Sequence, residues 1–203
     1  MTELAAPAAD RAGVSLEQFL AETNDRALEL INGEWRAKVP TNALHNRIVM
    51  KLLFAIYQYL LNTRLGEIAA EATFILPERD APDWVRGSRT PDLLFFAAER
   101  IARYLAIFPD WQGKPYAIVP DLVVEVVSPN DSADQVTEKV DLYLADGVRE
   151  IWVVYPAAGT IMIYAPDSET VRLLRRDSVL DDSEVLPGFQ LSLHDLFSEV
   201  TVS

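Results

Sequence analysis

The chain has 203 residues, 50% of them apolar and 24% charged, which suits one domain with its own core and excludes a wholly disordered polypeptide. Eighteen Lys and Arg against 31 Asp and Glu give a formal charge of −13, arguing against broad binding to nucleic acid or an anionic membrane and leaving room only for a local basic surface. The absence of cysteine excludes disulfides, zinc–thiolate and iron–sulfur centres and thiol nucleophiles together, and no apolar run approaches the roughly 20 residues that span a bilayer.

Residues 1–13 have neither the basic nor the apolar region of a signal peptide and read as a flexible tail on a cytoplasmic protein, with 14–203 as a single domain. The run VSLEQFLAET predicts a short helix from Val14 to Thr23, with Ser15 as N-cap and Gln18 in the capping-box position. Asn32-Gly33, set between Leu28, Leu30, Ile31 and Trp35, predicts an antiparallel hairpin. Beyond Pro40, Leu44, Ile48, Leu52, Ile56 and Leu60 recur at every fourth position with Val49, Leu53 and Tyr57 beside them, predicting the longest helix. EIAAEATFIL predicts one strand, and PERDAPDWVRGSRT, rich in Pro, Gly and charge, a mobile loop. PDLLFFA predicts a short strand and ERIARYLAIFPDWQGKPYA an irregular insert around a helical turn. IVPDLVVEVVS is apolar on both faces, as expected of the central strand of a covered sheet. Asp131 or Ser132 can cap a helix through Val136, Val140, Tyr143 and Leu144 that Gly147 stops. REIWVVYP predicts another buried strand, and GTIMIYAP with ETVRLLRR a meander leading to VLPGFQLSLHDLF. Strands interleaved with helices predict a mixed α/β sheet.

Glu125 breaks this pattern, because strand alternation places it with Val123 and Val127 on one face of a buried strand. A charge there must meet a cation, a metal or a hydrogen-bond donor, or take up a proton; a structural salt bridge and a functional site both satisfy that demand. Asp92 opens the PDLLFFA strand just after the predicted loop, where it suits a ligand but equally an exposed turn. Asp121 repeats the Pro-Asp dipeptide and shares a face with Glu125, yet four residues of strand separate them by roughly 13 Å, so Asp92 is the better co-ligand. Lys139 lies on the helix after the Glu125 strand, on one ridge with Gln135 and Tyr143. It is either a surface lysine paired with Glu138 or Asp141, or one that folds back over the end of that strand.

TPDLLFF, VPDLVVEVVSPNDSADQVTEKVDLYLADGVREIWVVYP and VLPGFQLSLHDLF together resemble the Uma-two family, a restriction-endonuclease-like domain of the PD-(D/E)XK nuclease superfamily. LELINGEWRAKVP and TNALHNRIVMKLL extend the resemblance, which runs from about Leu16 to Phe197. It implies a restriction-endonuclease-like α/β core, a mixed central sheet flanked by helices, preceded by the N-terminal helix and hairpin. It places the acidic site on Asp92 and Glu125 and the site lysine on Lys139. In the common Glu-x-Lys form the lysine follows the glutamate by two, but position 127 is Val, so the role passes to the helix. His45 matches the family's helix histidine and is either a site residue or a hydrogen-bonded structural group. Glu71 is either a third acid or exposed, and Gln135 is a further candidate on the Lys139 ridge.

Two hard carboxylates on neighbouring strands suit Mg²⁺ or Mn²⁺, and a lysine beside them suits hydrolysis of a phosphodiester without a covalent intermediate. The implied partner is DNA, met through a local patch for which Arg86 and Arg89 are the expected contacts. Two rivals stand beside this: a weakly active or silent nuclease-fold module that binds a partner or nucleic acid, which the acidity supports, and a structural homodimer in which Glu125 and Lys139 form a buried ion pair, with Phe108, Trp111 and Tyr116 as exposed aromatics for its surface.

Overall fold

In the computed structural model, which describes residues 12–38, 40–166, 168 and 170–198, the start signals of the N-terminal third are realised. The predicted tail falls on 1–11, outside the described residues, and on Ala12 and Gly13, where the Ala12 carbonyl accepts from the Trp84 indole at 3.3 Å. Strand β1 (Val14–Ser15) runs into α1 (Leu16–Thr23), whose Gln18 amide donates to Ser15 Oγ at 3.1 Å. Strands β2 (Leu28–Ile31) and β3 (Glu34–Ala37) form the hairpin, with Asn32 at φ 52° and Gly33 at φ 82°, the left-handed pair that a two-residue turn between twisted strands requires. Helix α2 (Ala43–Thr63) is N-capped by Asn42 and buries His45, Ile48, Val49, Leu52, Ile56 and Leu60. Leu44 and Tyr57, expected in that stripe, are 48% and 51% exposed, because they lie on the flank and back of the helix.

EIAAEATFIL is two strands, not one. The chain breaks at Glu71, which has φ 49°, leaving β4 (Gly66–Ala70) in the large sheet and β5 (Phe74–Glu78) in a three-stranded sheet ordered β1-β6-β5. The expected mobile loop is largely strand β6 (Ala81–Arg89), paired antiparallel with β5 and bulged around Pro77. Proline and charge signalled a loop, but a hairpin with a bulge accommodates both. Burial does the rest: the Leu30 amide donates to Ser88 Oγ at 2.8 Å, and a Cβ on Gly87 would stand 3.2 Å from the Leu30 carbonyl, so the β2–β3 hairpin can dock closely.

Next come β7 (Leu93–Ala97) and α3 (Ala98–Ile107), a full helix where an irregular insert was expected. They are followed by β8 (Leu122–Val126), α4 (Ala133–Asp146), β9 (Glu150–Tyr155), β10 (Thr160–Tyr164) and β11 (Arg172–Arg175). The chain ends in the short pair β12 (Val179–Leu180) and β13 (Leu191–Ser192) with the turn of helix α5 (Leu193–Leu196). The main sheet is mixed and ordered β11-β10-β9-β8-β7-β4; β8 and β9 are parallel, with α4 as their crossover, and the other neighbours are antiparallel.

Strand β8 is therefore internal, and its alternation feeds two cores. Leu122, Val124 and Val126 pack with α2 and the C-terminal residues Leu186, Phe189 and Leu193, while Val123 packs with Val136, Val140 and Tyr143 of α4. Glu125 shares the α4 face. Of the three aromatics offered for a dimer surface, Trp111 and Tyr116 are half-buried and Tyr116 packs on Phe96 at 4.8 Å, which leaves only Phe108, 37% exposed, as a candidate. Among the described residues no helix is long and apolar enough to cross a membrane.

Candidate active site

The parallel pair β8–β9 and the antiparallel pair β7–β8 bring the start of β7 beside the end of β8, so Asp92 and Glu125 become neighbours although 33 residues of sequence separate them. Asp92 is 6% exposed, and its Oδ2 accepts from the Val126 amide at 2.7 Å and lies 3.1 Å from His45 Nε2. Among the described residues Asp92 Oδ1 takes no hydrogen bond and remains open to the cleft. Glu125 Oε2 accepts from Lys139 Nζ at 2.8 Å, and Oε1 accepts from the Tyr143 hydroxyl. Lys139 and Tyr143 stand one turn apart on α4, whose start is fixed by a full capping box: Ser132 Oγ accepts the Gln135 amide and Gln135 Oε1 accepts the Ser132 amide. The side-chain oxygen of Gln135 is thus occupied in holding the helix end, although the residue borders the cleft.

The structure adds an acid that sequence reasoning missed. Glu29 of β2 is 8% exposed, accepts the Thr90 amide at 2.6 Å and lines the same cleft of about 140 Å³ as Asp92, Glu125 and Lys139. The signal was a carboxylate inside the apolar run LELI, the same anomaly that singled out Glu125. Glu71, the expected third acid, is exposed and borders a different hollow. Asp121 holds Arg100 at 2.7 Å, Arg149 at 3.2 Å and the Ala97 amide at 2.8 Å, at the other end of β8.

The two arginines expected to meet substrate are placed elsewhere. Arg89 is 5% exposed, with Nε 3.1 Å from Asp146 Oδ2 and Nη1 donating to the Ser88 and Leu30 carbonyls at 2.9 and 3.3 Å. The docked hairpin buries the strand that composition marked as a loop, so this guanidinium ties β6 to α4. Arg86 is exposed, pairs with Glu78 at 3.6 Å and does not line the cleft. The basic side chains at the cleft's mouth are Arg36, whose Nη1 contacts both carboxylate oxygens of Glu138 at 2.9 Å, and Lys38.

Burial desolvates Glu125 and raises its proton affinity; Asp92 adds to this, while the Lys139 ammonium and the Tyr143 hydroxyl oppose it. Burial alone would lower Lys139, yet the charge and hydrogen bond of Glu125, with Glu29 and Asp92 behind it, hold the lysine above its ordinary value. Of the pair, Glu125 is the member pushed toward its neutral form while Lys139 keeps its proton, because the carboxylate side chain is 11% exposed whereas that of Lys139 keeps 40%. Burial likewise opposes the imidazolium of His45, but the hydrogen bond and charge of Asp92 raise it.

Mg²⁺ keeps several waters and needs only one or two carboxylates, so the open oxygen of Asp92 and the spare lone pairs of Glu125 fit such an ion. Among the described residues no three His, Asp or Glu side chains are grouped to hold one ion, although Glu29 lines the same cleft.

A solved structure described as "a putative nuclease belonging to DUF820", from Anabaena variabilis ATCC 29413, is similar to this chain, with a TM-score of 0.71 and 25% identity over 91% of this chain and 97% of that one. No curated protein matches the chain. Residues 15–194 match the Uma2 family, described as "Putative restriction endonuclease". With most of its length inside that match, the chain belongs to the Uma2 family.

Proposed function

We propose that this protein is a nuclease that hydrolyses phosphodiester bonds of DNA with Mg²⁺ or Mn²⁺. The observation that carries the reading is the buried pair Asp92 and Glu125 on neighbouring strands, with Lys139 Nζ 2.8 Å from Glu125, all facing one cleft. Asp92 and Glu125 are the residues to hold the ion, which as a Lewis acid at a phosphate oxygen would make phosphorus more electrophilic. Lys139 remains an ammonium at neutral pH, so it serves to orient the attacking water and to offset charge that builds on the phosphate, not to act as a base. His45 fixes Asp92 Oδ2 and so directs Oδ1 toward the cleft. Arg36 and Lys38 supply the positive charge for DNA at the cleft's mouth, in place of Arg86 and Arg89. A few such contacts on a chain of charge −13 make binding weak and its salt dependence shallow, with a slope of about −0.9 for each phosphate neutralised.

Mn²⁺ calorimetry beside plasmid cleavage tests this. Wild type should bind the ion, more weakly as pH falls because the metal displaces a proton. Glu125→Gln should keep the fold and lose both binding and cleavage; unchanged Mn²⁺ affinity in that variant removes Glu125 from the site. The absence of three grouped metal-ligating side chains among the described residues favours a second reading, a silent nuclease-fold module, and ion binding without any cleavage would select it.

A further inference from the structure

Helix α2 buries one face and leaves the opposite one uncovered. On that outer face Met50, Phe54, Tyr57 and Leu61 are 60%, 60%, 51% and 61% exposed. Their spacing of four, three and four residues keeps them in one row along the helix, the register of a helix–helix seam. Large apolar side chains exposed in a row are uncommon on a monomer and mark a contact surface.

We propose that this row is the interface between two copies of the chain, paired antiparallel about a twofold axis. The spacing reads the same in both directions about the midpoint between Ala55 and Ile56. Antiparallel pairing therefore places Met50 opposite Leu61 and Phe54 opposite Tyr57 in both halves, the self-complementarity that a twofold contact demands. Charge points the same way. Each copy carries −13, so two copies must meet where ionised groups are absent. Helix α2 contains no acid, and its basic groups are turned to the C-terminal segment: Arg47 donates to the Ser198 carbonyl at 2.6 Å, and Lys51 to the Asp195 and Leu196 carbonyls at 2.8 and 3.0 Å. Area agrees as well. Each of the four side chains presents on the order of 100 Å², which gives about 800 Å² for a pair of copies; flanking Asn46, Leu53, Gln58 and Asn62 bring this to the roughly 1,000 Å² of a specific interface. The active-site cleft opens at the N-terminal end of α2, on the side of His45, and stays free in such a dimer.

Analytical ultracentrifugation of the full chain at 10–100 µM, with salt held constant, reads the mass. Wild type should be a dimer. Phe54→Arg should be a monomer with an unchanged circular dichroism spectrum and melting temperature, since the side chain it replaces lies outside the core. The chain has no cysteine, so engineered thiols report orientation cleanly. M50C copies mixed with L61C copies should crosslink on oxidation, whereas either variant alone should not, because like positions lie about 16 Å apart along antiparallel helices. A monomeric wild type, or a dimer that survives Phe54→Arg, overturns the proposal; crosslinking within M50C alone overturns the antiparallel arrangement.

Discussion

Tyr143→Phe removes one atom, the hydroxyl oxygen that donates to Glu125 Oε1, and leaves a ring of the same shape packed near Phe74. No cavity forms, so the loss is electrostatic. A buried carboxylate oxygen deprived of its donor costs about 2 kcal/mol, which for a domain of this size lowers Tm by roughly 4–8 °C. The pH dependence identifies the cause. Glu125 is raised by burial, so between its unfolded value of 4.5 and its higher folded value the native state binds the extra proton, and stability falls as pH rises through that window. Removing a donor to the ionised form raises the folded value further. The deficit of Tyr143→Phe is thus fully developed above the folded value and shrinks as pH falls below it, where the native carboxyl is protonated in wild type and variant alike. Thermal melts of wild type and variant at pH 5 and pH 8 measure the difference. Mn²⁺ affinity at neutral pH should fall in parallel, since the ion competes with a more tightly held proton. An equal Tm deficit at both pH values would refute the argument, because an un-ionised or unconnected Glu125 gives no such slope.

His45 is one of two histidines, so a His45→Asn variant assigns its resonance in an NMR titration. It should titrate above the ordinary 6.5, and the stabilisation from its contact with Asp92 is complete below 6.5 and fades as pH rises through the folded value; titration below 6.5 contradicts the Asp92 assignment. Arg89→Ala strands buried Asp146 and should cost about 3–5 kcal/mol in denaturant unfolding, whereas Arg86→Ala should change stability by less than about 0.5 kcal/mol. Equal, small effects at both positions would show Arg89 to be a surface residue after all. Lys139→Ala should cut any cleavage rate by about 10²-fold or more, and adding Val127→Lys should restore part of it. A folded, fully active Lys139→Ala removes the lysine from the mechanism.

What the sequence disclosed depended on whether the relevant physics was local. Ser15, Asn32-Gly33, Ser132 with Gln135, and Gly147 act within a few residues, and each sits where its local chemistry demands. Glu125 was legible because β8 is covered on both faces, so that a charge within it contradicts its neighbours. The convergence of Asp92, Glu125 and Lys139 also followed the resemblance, residue by residue. Glu29 obeyed the same rule but lies in a hairpin, which reads as solvent-facing on one side until it docks on β6. That docking also explains Arg89: composition marks PERDAPDWVRGSRT as exposed, and only the hairpin packed over Gly87 and Ser88 reverses the inference. Tyr57 shows the converse limit. A helix apolar all round gives no single phase, and tertiary packing decides which side faces water.

The position of the lysine rationalises several of these contacts together. Val127 and Lys139 line the same small cavity beside Glu125, so an ammonium could be delivered there from the strand or from the helix. Delivery from the strand would add a second charge at the end of β8, where Val127 is half-buried and its amide bonds the Val154 carbonyl at 2.8 Å. Delivery from α4 leaves the strand apolar and lets the lysine keep 40% exposure, which reduces the desolvation it must overcome. The accompanying demand is that the helix be held still, because a lysine chain mounted on a sliding helix cannot hold its nitrogen against Glu125. The capping box at Ser132 and Gln135 pins the start of α4, Gly147 closes its end, and Tyr143 ties its middle to Glu125 itself. Arg36 and Arg89 grip it through Glu138 and Asp146, from β3 and β6. Arg89, taken from the sequence as a residue for DNA, thus acts on the site through the helix that carries Lys139.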